Sequence, residues 1–387
     1  MRLRHPDGTA VHVCYCTNVH PADNLPGVLA QLDRFAEPVR EELGADVLGI
    51  GLWLAAPVAA ELAASVVLRA QLRRELSMRG LEVVTLNGFP YGSFHAAVVK
   101  HSVYQPDWTD PRRLAYTLNL ATVLADLLPD DAVRGSISTL PLGWREPWGM
   151  AEATAAEGQL AALTVGLTEL EWRTGRTIRV AFEPEPGCVI ETTSQAVAAL
   201  ADVDHRWLGI CLDLAHLACA WETPAQAVNT YGLAGLPVVK TQVSAALEVA
   251  DPAGAADMLR GFDEPRFLHQ TRSGSGRAYD DLGEALAEAD GDPWRVHFHV
   301  PLHARADPPF AATVPVLRQG LSALVGGPVA LCDHLEVETY TWSVLPSQLR
   351  PDDDAALVRG IAAELAFTAA ELIQLGLEPI ALSPVEA

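Results

Sequence analysis

The sequence predicts an α/β protein, a closed (β/α)8 TIM barrel, and three observations predict it. Short β-like runs alternate with longer Ala/Leu-rich segments of helical spacing along the whole chain. Eight or nine such units follow one another, which suits a closed barrel better than an open sheet. Polar residues gather at the C-terminal ends of the runs, where barrel enzymes carry their active sites. At 387 residues the chain is long enough for one such barrel. No internal repeat, low-complexity tract or linker divides it, so a single domain over 1–387 is expected.

The runs come in order. VHVCYCT (11–17), VLGIGLWL (47–54) and LEVVTLNG (81–88) open the series. A long aromatic-rich insertion follows the third, from NGFPYGSFH to VYQPDW, and reads either as a lid that excludes water or as simple packing over the barrel mouth, which explains Trp108 equally well. RGSISTLP (134–141), IRVAFEPEPG (178–187), LGICLDLAH (208–216) and PVVKTQVS (237–244) continue it. RVHFHVPLH (295–303) and VALCDHLEVETY (329–340) make nine, one more than a barrel needs. RVHFHVPLH lies in a long second insertion, after the seventh run, and is the one expected outside the barrel. Segments such as AELAASVVLRAQLRRELSMRG, AEGQLAALTVGLTELEWRTGR and DAALVRGIAAELAFTAAELIQLG supply the helices.

Side-chain parity orients the runs. In LGICLDL, Leu208, Ile210, Leu212 and Leu214 share one face while Gly209, Cys211 and Asp213 share the other. Val180 and Phe182 oppose Ala181 and Glu183, and Leu335 and Val337 oppose His334, Glu336 and Glu338. Period-two alternation thus turns large apolar residues toward the helices and small or acidic ones into the barrel.

Composition excludes several classes of partner. The net charge of −22 repels phosphate backbones and anionic membranes, which argues against nucleic acid. The start MRLRHPDGTAVHVCYC lacks the apolar core and cleavage site of a signal peptide, and no apolar run reaches membrane-spanning length. The six cysteines show no CxxC pair and sit mostly in apolar runs, as reduced, buried thiols of a cytoplasmic protein do.

Four strand ends offer metal-type ligands: Glu183 in FEPEPG, Asp213 with His216 in LDLAH, Gln242 in KTQVS, and Glu336 or Glu338 in LEVETY. From Glu183 to Asp213 is 30 residues and from Asp213 to Gln242 is 29, about one βα unit each, so successive strands bring these groups to one rim. Carboxylates converging in a small apolar space need a compensating cation, and this donor set suits Mn2+, Mg2+, Co2+ or Zn2+. The plainer reading of Asp213 is an N-cap for the next helix, and of His216 a hydrogen-bonded core residue. His297 and His299 share a strand face, with His303 beyond, and read either as a hydrogen-bonded core pair or as metal ligands, replacing Gln242 or holding a second ion. The loop RFLHQTRSGSGRAY (266–279) brings Arg272 and Arg277, suited to an anionic group if not simply solvated. Lys240 shares parity with Gln242 and is a Schiff-base candidate, its ordinary fate being a pair with a neighbouring carboxylate.

Those motifs carry a resemblance. AFEPEPG and CLDLAHLA look like the Glu-Pro-x-Pro and Leu-Asp-x-x-His strand ends of the xylose isomerase-like TIM barrels, the sugar phosphate isomerase/epimerase-like superfamily. The resemblance implies Glu183 and Asp213 as metal ligands, His216 as a substrate or further metal contact, and a last glutamate on the eighth strand, of which Glu336 lies deeper. Gln242 stands where a histidine is commoner. A narrower set of motifs in matching order, NGFPYGSFH, VYQPDW, STLPLGW, VKTQVSAALEV and HFHVPLH, resembles the EboE-type metabolite traffic proteins, encoded beside a sugar phosphate cyclase and a prenyltransferase. That implies pathway enzymes as partners.

The expectation is a metal-dependent isomerase or epimerase acting on a small polyhydroxylated compound, a sugar or cyclitol with or without phosphate. Glu183, Glu336 and His216 are its catalytic candidates; His216, Lys240, His299 and Arg272 its substrate contacts. Glu183, Asp213, Gln242 and Glu336 are its metal ligands, with His297, His299 and Glu338 as alternates. The alternatives are a non-catalytic metabolite carrier, an endonuclease IV-like metal-dependent hydrolase, which −22 disfavours, and a Schiff-base aldolase using Lys240.

Overall fold

In the computed structural model, which describes residues 1–380 apart from 93, 289, 290 and 305, eight parallel strands close into a barrel. They are β1 (Ala10–Cys16), β2 (Leu48–Trp53), β3 (Leu81–Asn87), β4 (Gly135–Thr139), β5 (Ile178–Phe182), β6 (Leu208–Asp213), β7 (Val238–Val243) and β8 (His334–Val337). The ring closes because β8 pairs in parallel with both β7 and β1. A short antiparallel strand, Arg2–Arg4, adds to β1, and Glu378–Pro379 pairs antiparallel with it in turn.

Eight of the nine runs are barrel strands. The ninth, RVHFHVPLH, supplies the strand Trp294–His299 of a separate antiparallel sheet, together with Ala246–Val249, Thr271–Ser273, Ala278–Tyr279 and Phe310–Ala312. The insertion after β7 is therefore a folded sheet rather than a loop. Arg272 consequently belongs to a hairpin, Thr271 opposite Tyr279, not to a mobile anion-binding loop. The insertion after β3 carries one short 3-10 turn, Lys100–Tyr104, and Trp108 is fully buried against Phe182, ring centroids 5.6 Å apart.

Local chemistry sets the helix limits. The helix Met150–Thr174 buries Leu160, Leu163, Leu167 and Leu170 at three- and four-residue spacing and stops at Gly175, whose φ of 67° glycine adopts without strain. The stretch 60–80, helical in spacing throughout, breaks at Ser65. That residue is extended, and its hydroxyl accepts from the Leu68 amide at 3.3 Å, capping Val66–Met78 after Ala56–Ala64 has ended.

Inside the barrel, small residues make room for large polar ones. A Cβ on Gly51 would fall 1.2 Å from Glu336 Oε1, so only glycine lets that glutamate fold across β2. All six cysteines are buried and free. No described helix is long and apolar enough to cross a membrane.

Candidate functional site

Asp213 ends β6 and begins the helix Leu214–Cys219. Its Oδ1 accepts from the His216 amide and from the Ser244 hydroxyl, both at 2.8 Å. Asp213 is thus an N-cap, as the plain reading has it. Its Oδ2, equally buried, has no hydrogen-bond partner. The side chain divides its work: one oxygen holds the helix, the other is left unpartnered, 3.9 Å from His216 Nε2.

Glu183 lies just past β5, its amide bonded to the Thr139 carbonyl at 3.0 Å, and its buried Oε2 also lacks a partner. One donor atom each from Glu183, Asp213 and His216 lie within 4.8 Å of one another. Burial, then the charges of Glu338 and Asp213, push the Glu183 pKa well above the usual carboxylate range. Burial, followed by Asp213 and Glu336, raises Glu338 to about 8. Glu338 sits just past β8 at the same mouth, where Asn18 and Asn87 donate to its Oε1 at 2.6 and 3.1 Å. Glu183 and Asp213, each with an unpartnered buried oxygen, are a fit for a divalent cation, since an unsatisfied buried acceptor costs about 1–3 kcal/mol.

Glu336, preferred over Glu338 from the sequence, has a different partner. Its Oε2 is ion-paired with Lys240 Nζ at 2.5 Å while its Oε1 has no partner, and both side chains are completely buried. The lysine reaches across the barrel, its ammonium also near Ser138 Oγ (3.3 Å) and the Leu86 carbonyl (3.4 Å). The depth that favoured Glu336 as a ligand is what gives it this cation. Burial alone would lower the Lys240 pKa; Glu336 and the thiols of Cys211 and Cys16 outweigh it and raise the pKa instead. An amine nucleophile needs the opposite shift, so the geometry gives no support to a Schiff base. Gln242 is level with Asp213 on one side and Glu336 on the other, fully buried, with neither amide atom hydrogen-bonded.

The inserted sheet folds over the barrel and brings His297 and His299 beside His216. His216 Nε2 lies 3.0 Å from His297 Nε2 and 3.9 Å from Asp213 Oδ2. Burial holds His297 well below the ordinary imidazole pKa and His299 down to about 4. His303 is apart from them, stacked on Trp342.

Glu183, Glu338, His216, His297 and His299 line a cavity of about 560 Å³, open mouth included, walled by Phe89, Phe94, Phe267 and Tyr340. Its one cationic lining residue among those described, Lys100, is ion-paired to Asp281. Arg272, expected at an anionic substrate, is instead held by Glu191 through two bonds of 2.5 and 2.9 Å and donates to the Tyr279 carbonyl. It is absent from the cavity wall.

Sequence reasoning assigned nothing to Glu185, Tyr104 or Gln270, which form a buried chain: Tyr104 donates to Glu185 Oε1 at 2.6 Å and Gln270 Nε2 to the Tyr104 hydroxyl at 2.8 Å. Glu185 was legible as the second acid of FEPEPG, two residues from Glu183. Tyr104 and Gln270, on separate insertions, carry no such mark.

A family profile described as xylose isomerase-like TIM barrel matches residues 40–303. Among solved structures, a xylose isomerase-like TIM barrel protein from Mycobacterium smegmatis in complex with magnesium is similar at 15% identity and a TM-score of 0.52, covering 94% of this chain and 98% of that one. A D-allulose 3-epimerase from Methylomonas sp. in complex with D-allulose is similar at 13% identity and a TM-score of 0.50, covering 96% of this chain and 100% of that one. No curated protein matches the chain.

Proposed function

Because the chain belongs to the xylose isomerase-like TIM barrel family, we propose that it is a metal-dependent isomerase or epimerase of a small polyhydroxylated compound. The observation that carries this reading is the convergence of Glu183 and Asp213, each with an unpartnered buried oxygen, on the rim where Glu338 also stands. These three carboxylates would hold the ion, Glu338 taking the place first given to Glu336. A divalent ion bound there polarises neighbouring carbonyl and hydroxyl oxygens and acidifies the C–H between them.

The remaining work falls to side chains. Glu183 and Glu338, carboxyls that line the same cavity, are the groups proposed to take a proton from carbon and return one. Asn18 and Asn87 fix the Glu338 carboxyl. Phe89, Phe94 and Tyr340 present apolar faces to the C–H side of a sugar ring and exclude water. With its described cation neutralised and three acids in its lining, Glu183, Glu185 and Glu338, the cavity favours a neutral substrate over a phosphorylated one. The order of motifs supports an ebo-type metabolite pathway in the cytoplasm, with other pathway enzymes as partners.

The test is deuterium wash-in from D2O to carbon, using manganese-loaded protein and a panel of free ketoses and cyclitol ketones. Exchange that a chelator abolishes and manganese restores is the expected result. Saturable ligand binding without any exchange would replace the enzyme by a metabolite carrier.

The pH dependence of metal binding has a definite sign. Glu338 is protonated below about 8 in the metal-free fold, and a ligand carboxyl must lose that proton. Glu183, also raised, must lose its proton too, so apparent Mn2+ affinity rises with pH through the range in which both carboxyls ionise. Calorimetry at pH 7 in buffers of different ionisation enthalpy should register proton release.

A further inference from the structure

The cavity wall changes character away from the strand ends. Glu183, Glu338, Asn18 and Asn87 stand where β5, β8, β1 and β3 finish. Beyond them the lining comes from segment 89–104, after β3, and from Phe267 and Leu268, ahead of the hairpin at Thr271. Phe94, Val99, Val103, Phe267 and Leu268 make most of this part. Its rings are contiguous: Phe94 lies 5.2 Å from Phe267, and Phe267 5.0 Å from Tyr340, between centroids.

The polar side chains of this part are already engaged. Lys100 is ion-paired to Asp281. The Tyr104 hydroxyl donates to Glu185 at 2.6 Å and accepts from Gln270 at 2.8 Å, and the Tyr340 hydroxyl donates to the His297 carbonyl at 3.2 Å. Much of the backbone is occupied too. The Val99 and Lys100 amides both donate to the Arg266 carbonyl, at 2.7 and 2.9 Å. The Phe89 carbonyl accepts from Arg113 and the Pro90 carbonyl from Trp53, each at 2.9 Å. A ligand hydroxyl brought here finds these groups taken and gives up the bonds that water supplied. An apolar group gains by leaving water. The unpartnered acceptors of the lining stand at or beside the strand ends, on Glu183, Asn18 and His299. A cavity of about 560 Å³ divided in this way suits a ligand with one polar end and one apolar end.

We propose that the substrate is amphiphilic, a polyhydroxylated head at the strand ends carrying an apolar substituent that lodges among Phe94, Val99, Val103, Phe267 and Leu268. The head rests on the isomerase reading; the apolar chamber rests on the wall alone. A free sugar filling the same space would strand hydroxyls against Phe94 and Phe267, and a phosphate there would meet no unpaired cation among the described lining residues. The two insertions thus set which substituent enters, and the strand ends set the chemistry.

Alkyl chain length reads the chamber. Methyl, butyl and hexyl β-D-glucopyranosides, and the same three ethers of myo-inositol, are titrated calorimetrically into the full chain with Mn2+ present. At least one series is expected to bind about fourfold more tightly per added methylene until the chamber is full. Hexanol, which lacks the head, should bind far more weakly than the hexyl member. Val103 is half-buried in the short turn Lys100–Tyr104, and Val103→Asp should lose the rise with chain length while keeping the affinity of the methyl member. Should that variant not fold, Val103→Trp, which fills the chamber, must bind the hexyl member no better than the methyl one. Affinity that is flat with chain length, absent in both series, equal for hexanol, or rising as before in the variant overturns the proposal. A rising series without any deuterium wash-in keeps the chamber and removes the isomerase; wash-in from free ketoses with a flat series does the opposite.

Discussion

Glu183→Gln is expected to abolish deuterium wash-in, a loss of about 10²–10⁴-fold for removing a positioned proton carrier, and at the same time to stabilise the metal-free protein at neutral pH. The two effects share one cause. Burial and the charges of Glu338 and Asp213 raise the Glu183 pKa in the folded state. At neutral pH the unfolded chain has released that proton while the fold retains it or bears the repulsion, so the group destabilises the fold above its unfolded pKa and not below it. Glutamine keeps the shape and removes the ionisation. The gain in melting temperature should therefore be present at pH 7 and vanish at pH 4. A structural glutamate satisfied by a cation of the protein would give the reverse, a loss of stability that grows with pH.

Lys240→Ala is expected to destabilise the fold by about 3–5 kcal/mol, since it leaves the buried Glu336 carboxylate without its cation. The change also opens a cavity where the side chain crosses toward β3 and β4. Replacing both partners with apolar residues, Lys240→Met with Glu336→Leu, should recover most of the loss, because a desolvated pair and an apolar pair of similar volume differ little in stability. Urea denaturation measures both. If the single variant is as stable as the original, the pair is not the strut across the barrel that the geometry describes. If only the double variant regains manganese-dependent wash-in, Glu336 is excluded from the reaction.

The barrel was legible because period-two alternation and helical spacing are local properties of the chain. The parity of LGICLDL alone turned Asp213 inward. Spacing then brought Glu183 and Asp213 to one rim, where the structure puts them. What alternation cannot give is which inward groups meet across strands. Glu336 and Glu338 share parity; the choice between them turns on Lys240, which stands one inward position below Gln242 on the adjacent strand and takes the deeper acid. The histidines of RVHFHVPLH were recognised as lying outside the barrel, yet their return over its mouth depends on a five-stranded sheet whose pairings span more than sixty residues. Arg272 misled for the same reason: a glycine-rich stretch resembles a loop until Glu191 and the hairpin partner are known. Asp213 satisfied both of its readings because a carboxylate has two oxygens, and the sequence does not distinguish them.

Manganese binding to Asp213→Asn against the unaltered protein tests the central claim most directly. Asparagine keeps the Oδ1 acceptor that caps Leu214–Cys219, while its amide nitrogen can replace Oδ2 in shape only. Equilibrium dialysis of the unaltered chain should find Mn2+ bound at its carboxylate rim, and the variant should bind it at least about 10-fold more weakly with its melting temperature preserved. Equal binding by the two proteins, or none by either, would contradict a metal centre built on Glu183 and Asp213.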